Sequence, residues 1–244
     1  MIFFADNPYL SEIIDKPPFM ENELKKRLES VQERISKACE KSNRPIDSVR
    51  LIAVTKTHPA EVLQELVDLG IKDLGENRVQ EIEAKVPILR GDFTMHMIGH
   101  LQTNKVAKVL PYVKWIQSID REQLISKIEK QYKGDKINAL LEVNTSGETS
   151  KSGCAPQQCR ALAERIVNSQ ALRFCGLMTI GPLGGTELAI RKSFSLLREL
   201  SEQCSDLSPS TLELSMGMSS DFEWAIQEGS TMVRIGSLLL GERH

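Results

Sequence analysis

Cysteine, histidine and long apolar runs are all scarce in this 244-residue chain, and each scarcity removes a class of protein. The five cysteines (Cys39, Cys154, Cys159, Cys175 and Cys204) form neither a CxxC pair nor a regularly spaced even set, which argues against disulfide and zinc frameworks and suits a reducing cytoplasm. Nor do His58, His96, His100 and His244 show metal-ligand spacing, so no metal is placed, and His96 inside an apolar segment reads as a packed residue. No segment reaches the roughly eighteen uninterrupted apolar residues of a membrane helix, and the opening "MIFFADNPYLSEIIDKPPFM" lacks a signal peptide's basic start and apolar run. Net charge is only −2, which gives no general attraction to nucleic acid or an anionic membrane; phosphate binding has to be local.

What is present is an ordinary globular composition, 41% apolar and 26% charged, enough for a sizeable core. Pro8, Pro17 and Pro18 set residues 1–20 apart as an extension outside the fold, leaving 21–244 as a single domain. Leu24, Leu28, Val31 and Ile35 then recur at helical spacing, an amphipathic leading helix. From Val49 onward, short apolar segments alternate with helical patterns. The strand candidates are 49–55, 71–75, 95–99, 113–118, 137–143, 172–180, 211–215 and 231–236, and helices are expected at 59–70, 78–90, 102–110, 121–132, 157–168 and 187–203. Asp120 with Gln123, and Ser220 with Glu223, are spaced as capping pairs for two of the helices. Such alternation implies parallel crossovers, and an eightfold β/α barrel of the TIM type is the simplest closure; an open doubly wound sheet competes.

A barrel places chemistry at the carboxyl ends of its strands, with phosphate on the loops after the last two. Those ends carry Lys56, Glu76 with Asn77, His100, Ser118, Asn144, Met178 with Thr179, "SMGMSSD" (215–221) and "RIGS" (234–237). Ser215, Ser219 and Ser220 supply hydroxyls, Gly217 and Gly236 allow close backbone approach, and Arg234 is a permanent cation: one cradle for a phosphate. Taken singly, the same serines could cap the helix and Arg234 could pair with a core carboxylate. Lys56, opposite that cradle, is a usable amine nucleophile once desolvation lowers its pKa, otherwise a structural salt bridge. An amine facing a phosphate pocket suits an aldehyde phosphate, and pyridoxal 5'-phosphate (PLP) fits. The loop "NTSGETSKSGC" (144–154) reads as a flexible rim, and Cys154 on it has no activating base.

The stretches "LIAVTKTHP", "DLGENRVQE", "HMIGHLQTNK", "NTSGETSKSG", "GLMTIGP", "LSMGMSSDFEWAI" and "GSTMVRIGSLLLG" together resemble the pyridoxal phosphate homeostasis protein family, whose members are built like the barrel domain of alanine racemase. The resemblance covers Glu23 to Arg243. It implies that Lys56 holds PLP as an internal aldimine, that Ser215, Ser219 and the Arg234–Ile235–Gly236 segment bind its phosphate, that Arg234 approaches the pyridine ring, and that Asn77 lies by the ring substituents. Gly217 and Met218 are carried over with the same loop.

An arginine at the ring nitrogen disfavours its protonation and weakens the cofactor as an electron sink. The chain ends at His244 without the second domain that supplies the racemase tyrosine, and Tyr9, Tyr112 and Tyr132 lie on no strand end. The expectation is a cytoplasmic, monomeric PLP-binding protein of vitamin B6 homeostasis, without turnover of its own, whose partners are PLP and apo PLP-dependent enzymes. A PLP-dependent racemase or lyase is the alternative.

Overall fold

Eight short apolar segments close into one barrel in a computed structural model that describes residues 18–241, with side chains from Glu23 onward. The strands are β1 (Arg50–Val54), β2 (Asp73–Glu76), β3 (Thr94–Met97), β4 (Trp115–Ile119), β5 (Ile137–Glu142), β6 (Leu172–Met178), β7 (Glu213–Met218) and β8 (Met232–Ile235). All pair in parallel and in sequence order, and β1 closes on β8 from Arg50↔Met232 to Ala53↔Ile235. This closure settles the choice between barrel and open sheet.

The helices are α1 (Pro18–Lys41), α2 (Ala60–Asp68), α3 (Val79–Lys85), α4 (Val106–Val109), α5 (Glu122–Gln131), α6 (Cys159–Val167), α7 (Glu187–Gln203), α8 (Phe222–Gln227) and α9 (Ser237–Leu240). The stripe expected of α1 is buried at Leu24, Leu28, Val31 and Ile35, and the helix packs on α8 and α9. Arg34 fixes that packing: it grips Glu223 with two hydrogen bonds of 2.8 and 3.0 Å and lies over the Phe222 ring. The extension proposed for residues 1–20 falls mostly outside the described residues, and α1 begins at Pro18. Among the described residues no helix is long and apolar enough to cross a membrane.

Both capping pairs are corrected. The cap of α5 is Arg121 and that of α8 is Asp221, neither with a side-chain capping bond. Asp120 is drawn instead to Arg121 and His100, while Glu223 is taken by Arg34. In both places a cation outcompetes an amide donor for the carboxylate. The helix expected at 102–110 splits into a 3₁₀ turn, Thr103–Lys105, and the single turn of α4.

Ile52, Trp115, Leu140, Met178 and Met232 pack in a cluster of their own, distinct from the larger core between barrel and helices. Alongside it inside the barrel run polar side chains, and these position the site.

Candidate functional site

A cavity of about 770 Å³ opens among the strand ends, lined by Lys56, Asn77, Met218, Ser219, Arg234 and Gly236 among the residues singled out from sequence. Lys56 sits two residues beyond β1 in the turn "TKTHP". That turn is clamped from below. Thr55 donates to Glu76 Oε1 at 2.8 Å, Lys85 Nζ reaches the same oxygen at 2.7 Å and the Thr55 carbonyl at 3.2 Å, and Glu81 Oε2 receives both Lys85 Nζ and the Thr57 amide at 2.7 Å. Thr57 is held at φ 70°, a left-handed conformation costly for a β-branched residue, about 1–3 kcal/mol. The buried Glu76 and Lys85 thus keep the chain around Lys56 in one strained shape.

Across the mouth, Ser219 Oγ accepts from the Gly236 amide at 3.3 Å and, at the long limit of 3.5 Å, from the Leu238 amide. This ties the loop after β7 to the loop after β8, so that Ser219, Ser220, Gly236 and Ser237 share one wall. Three residues expected in the cradle are placed elsewhere. Ser215 is fully buried below the cavity, Ile235 faces the outer core, and Gly217, at φ 94°, abuts α8, where an added Cβ would lie 2.6 Å from Ala225 Cβ. Gly217 therefore serves strand-to-helix packing, and Ser215 meets the cavity only by its hydrogen bond from Arg234.

Arg234 is the hub. Its Nη1 donates to Ser215 Oγ at 2.7 Å and its Nη2 to the Thr179 carbonyl at 2.8 Å, not to a core carboxylate. Ser215 donates onward to Gln117 Oε1 at 2.7 Å; Gln117 Nε2 lies 3.0 Å from His96 Nδ1, and His96 Nε2 lies 2.8 Å from Asp73 Oδ1. The amide donor makes Nδ1 the acceptor, so His96 carries its proton on Nε2 and gives it to Asp73. Burial lowers the His96 pKa and keeps the ring neutral, consistent with that tautomer. Burial pushes the Arg234 guanidinium down to about 10, still cationic at neutral pH. A single line of hydrogen bonds thus runs through the barrel interior and fixes one cation at the cavity floor.

The remaining wall comes from the segment after β3 (Ile98, Gly99 and His100) and from the end of β5 with its loop. Glu142, buried at the end of β5, faces the cavity, and burial together with Asp120 pushes its pKa up to about 7 against the opposing pull of Arg234 and Arg121. The 144–154 loop does form the rim, but it is braced: Asn144 Oδ1 accepts from Ser146 and Gly147, and Lys151 Nζ bonds to the Gly181 carbonyl at 2.5 Å and Glu148 at 2.9 Å. Ser118 and Thr179 are buried, each giving its hydroxyl to a backbone carbonyl. Cys154 is buried, and burial pushes its thiol up to about 12, which leaves no thiolate at neutral pH.

Sequence reasoning missed Glu142, Gln117 and Lys151. Glu142 carried a visible signal, a lone carboxylate inside the apolar run "INALLEV". Gln117 carried none, since a glutamine in a strand reads as a solvent-facing residue until the barrel closes over it.

Comparison with known proteins identifies the family. The family model for the alanine racemase N-terminal domain matches residues 27–244. A pyridoxal phosphate homeostasis protein of Aquifex aeolicus is 42% identical over 221 residues, covering 89% of this chain and 97% of its own, and the Homo sapiens protein of that name is 38% identical, covering 88% and 85%. The solved structure of PipY from Synechococcus elongatus PCC7942 with PLP bound is 35% identical, covers 89% of this chain and all of its own, and superposes with a TM-score of 0.74. The chain belongs to the pyridoxal phosphate homeostasis protein family, built on the alanine racemase N-terminal domain.

Proposed function

We propose that this protein binds PLP in the barrel-mouth cavity and serves intracellular PLP homeostasis, with Lys56 as the residue that bonds to it covalently. The observation that carries this reading is the co-location on one cavity wall system of a primary amine, a two-loop anion cradle and a buried guanidinium. PLP, when bound, supplies an aldehyde that condenses with amines. Lys56 offers the amine on a turn that Glu76, Glu81 and Lys85 hold in place. Ser219 already accepts from two amides, so its own hydroxyl proton is left to donate to a phosphate oxygen; Ser220 and the Gly236 backbone stand beside it. Arg234, fixed by Ser215 and Thr179, presents a cation to a pyridine nitrogen and disfavours its protonation. Asn77 lines the cavity beside Gly99 and is placed for the ring substituents.

A carrier or reservoir role without turnover is the finer part of the proposal. Tyr112 and Tyr132 do not line the cavity, so neither is placed as a racemase-type second base. Borohydride reduction of the PLP-loaded protein followed by peptide mass analysis tests the covalent assignment: the phosphopyridoxyl group is expected on Lys56, and its recovery on another lysine overturns it. Solvent deuterium incorporation at Cα of amino acids tests the carrier role, which fast, Lys56-dependent exchange would overturn.

A further inference from the structure

Glu142 is 4% exposed, yet its carboxylate belongs to the cavity wall. No described residue gives its side chain a hydrogen bond or an ion pair. The cations near it are already engaged. Arg121 is held by Asp120 and by the Leu101 carbonyl at 2.9 Å, Lys151 by Glu148 and the Gly181 carbonyl, and Arg234 by Ser215 and Thr179. Asp120 itself is shared between Arg121 and His100. What remains is one largely buried carboxylate in the cavity wall, backed by a second carboxylate.

A carboxylate almost wholly withdrawn from bulk water and given no protein donor costs free energy, and natural proteins keep such groups chiefly where a ligand completes them. An ionised carboxylate only accepts, so the completing group has to be a donor, and the neighbouring Asp120 favours a cationic one. We propose that Glu142 is a recognition site for the primary ammonium group of a small ligand held in the cavity with, or in place of, PLP. The assignment rests on the PLP reading above. Two sources share this chemistry: the amine form of the cofactor, pyridoxamine 5'-phosphate, and a free amino acid entering beside bound PLP. In the first case the phosphate cradle on the β7 and β8 loops and Glu142 on β5 hold opposite charges of one molecule; in the second Glu142 receives the α-ammonium group before it meets the cofactor.

The test is the Glu142→Gln variant, which preserves shape and removes the charge. At pH 8, pyridoxamine 5'-phosphate is titrated into the apoprotein, and glycine into the PLP-loaded protein, by calorimetry and by the visible spectrum. Affinity is expected to fall about tenfold or more in one of the two arms, the scale of a charge-assisted hydrogen bond, and the arm that falls identifies the source. PLP affinity of the variant should stay within about twofold of the parent, again by the same conversion. In the parent, the amine ligand should bind more tightly as pH rises from 6 to 8, and the rise should be smaller in the variant, where only the ligand's own ionisation contributes. Unchanged affinity in both arms, no ammonium ligand bound by the parent in either arm, or a parallel loss of PLP binding overturns the assignment. A parent protein that takes up neither PLP nor its amine form overturns the cofactor reading itself.

Discussion

Arg234 and Ser215, nineteen residues apart in sequence, are joined side chain to side chain at 2.7 Å inside the barrel. Through Ser215 the guanidinium at the cavity floor is tied to Gln117, His96 and finally Asp73, a residue near the other end of its strand. The cation is thus held by the barrel as a whole rather than by its own loop.

Ser215→Ala should therefore act at a distance. It leaves an Arg234 N–H and the Gln117 carbonyl without partners in the interior, and stability should fall by about 1–3 kcal/mol. Urea unfolding of the purified variant measures this; a loss within experimental error would mean that water or a rearranged Gln117 replaces the hydroxyl.

Ser219→Ala should separate phosphate from ring. Affinity for PLP is expected to fall by about tenfold or more, as when a hydrogen bond to a charged group is lost, while affinity for unphosphorylated pyridoxal stays the same. Equilibrium dialysis with the two ligands decides it, and equal losses for both would remove Ser219 from the phosphate cradle.

Lys85→Met should loosen the turn that carries Lys56. Removing the cation leaves Glu76 and Glu81 facing each other with their shared partner gone, and breaking a buried pair this way costs about 3–5 kcal/mol. A thermal unfolding midpoint unchanged from the parent would contradict the clamp.

Glu142 should make stability depend on pH with a definite sign. Its folded pKa of about 7 lies above the ordinary carboxyl value of 4.5, so between those values the folded state binds more protons than the unfolded one. Stability is then full below pH 4.5 and declines as pH rises through 7, by about 3 kcal/mol for this group. Glu142→Gln should melt higher than the parent at pH 8, with the difference shrinking towards pH 5; a constant difference across that range would show that the carboxyl is not held near 7.

Gly99→Ala should disturb the mouth without touching a titrating group. An added Cβ would stand 2.4 Å from the Asn77 carbonyl oxygen, so two strand-end loops would have to part. Overpacking against backbone costs about 1–3 kcal/mol, and PLP affinity should drop with it. A calorimetric titration beside a melting curve reads both.

Much of this was legible in the sequence because strand and helix formation is local. Short β-branched runs, helical stripes and glycine or proline breaks specified eight strands in order, and the barrel's rule for chemistry then placed Lys56, Asn77, Ser219, Arg234 and Gly236 at one mouth. What sequence could not decide was the direction in which each side chain points. Alternation along a strand predicts facing only while register holds, and in the β7–β8 pair a register shift between Ser215 and Met218 places an extra residue in β7. The extra residue in β7 sent Ser215 beneath the cavity and turned Gly217 towards α8, while the regular alternation of β5 carried Glu142 inward, where only closure of the barrel brought it into the cavity wall.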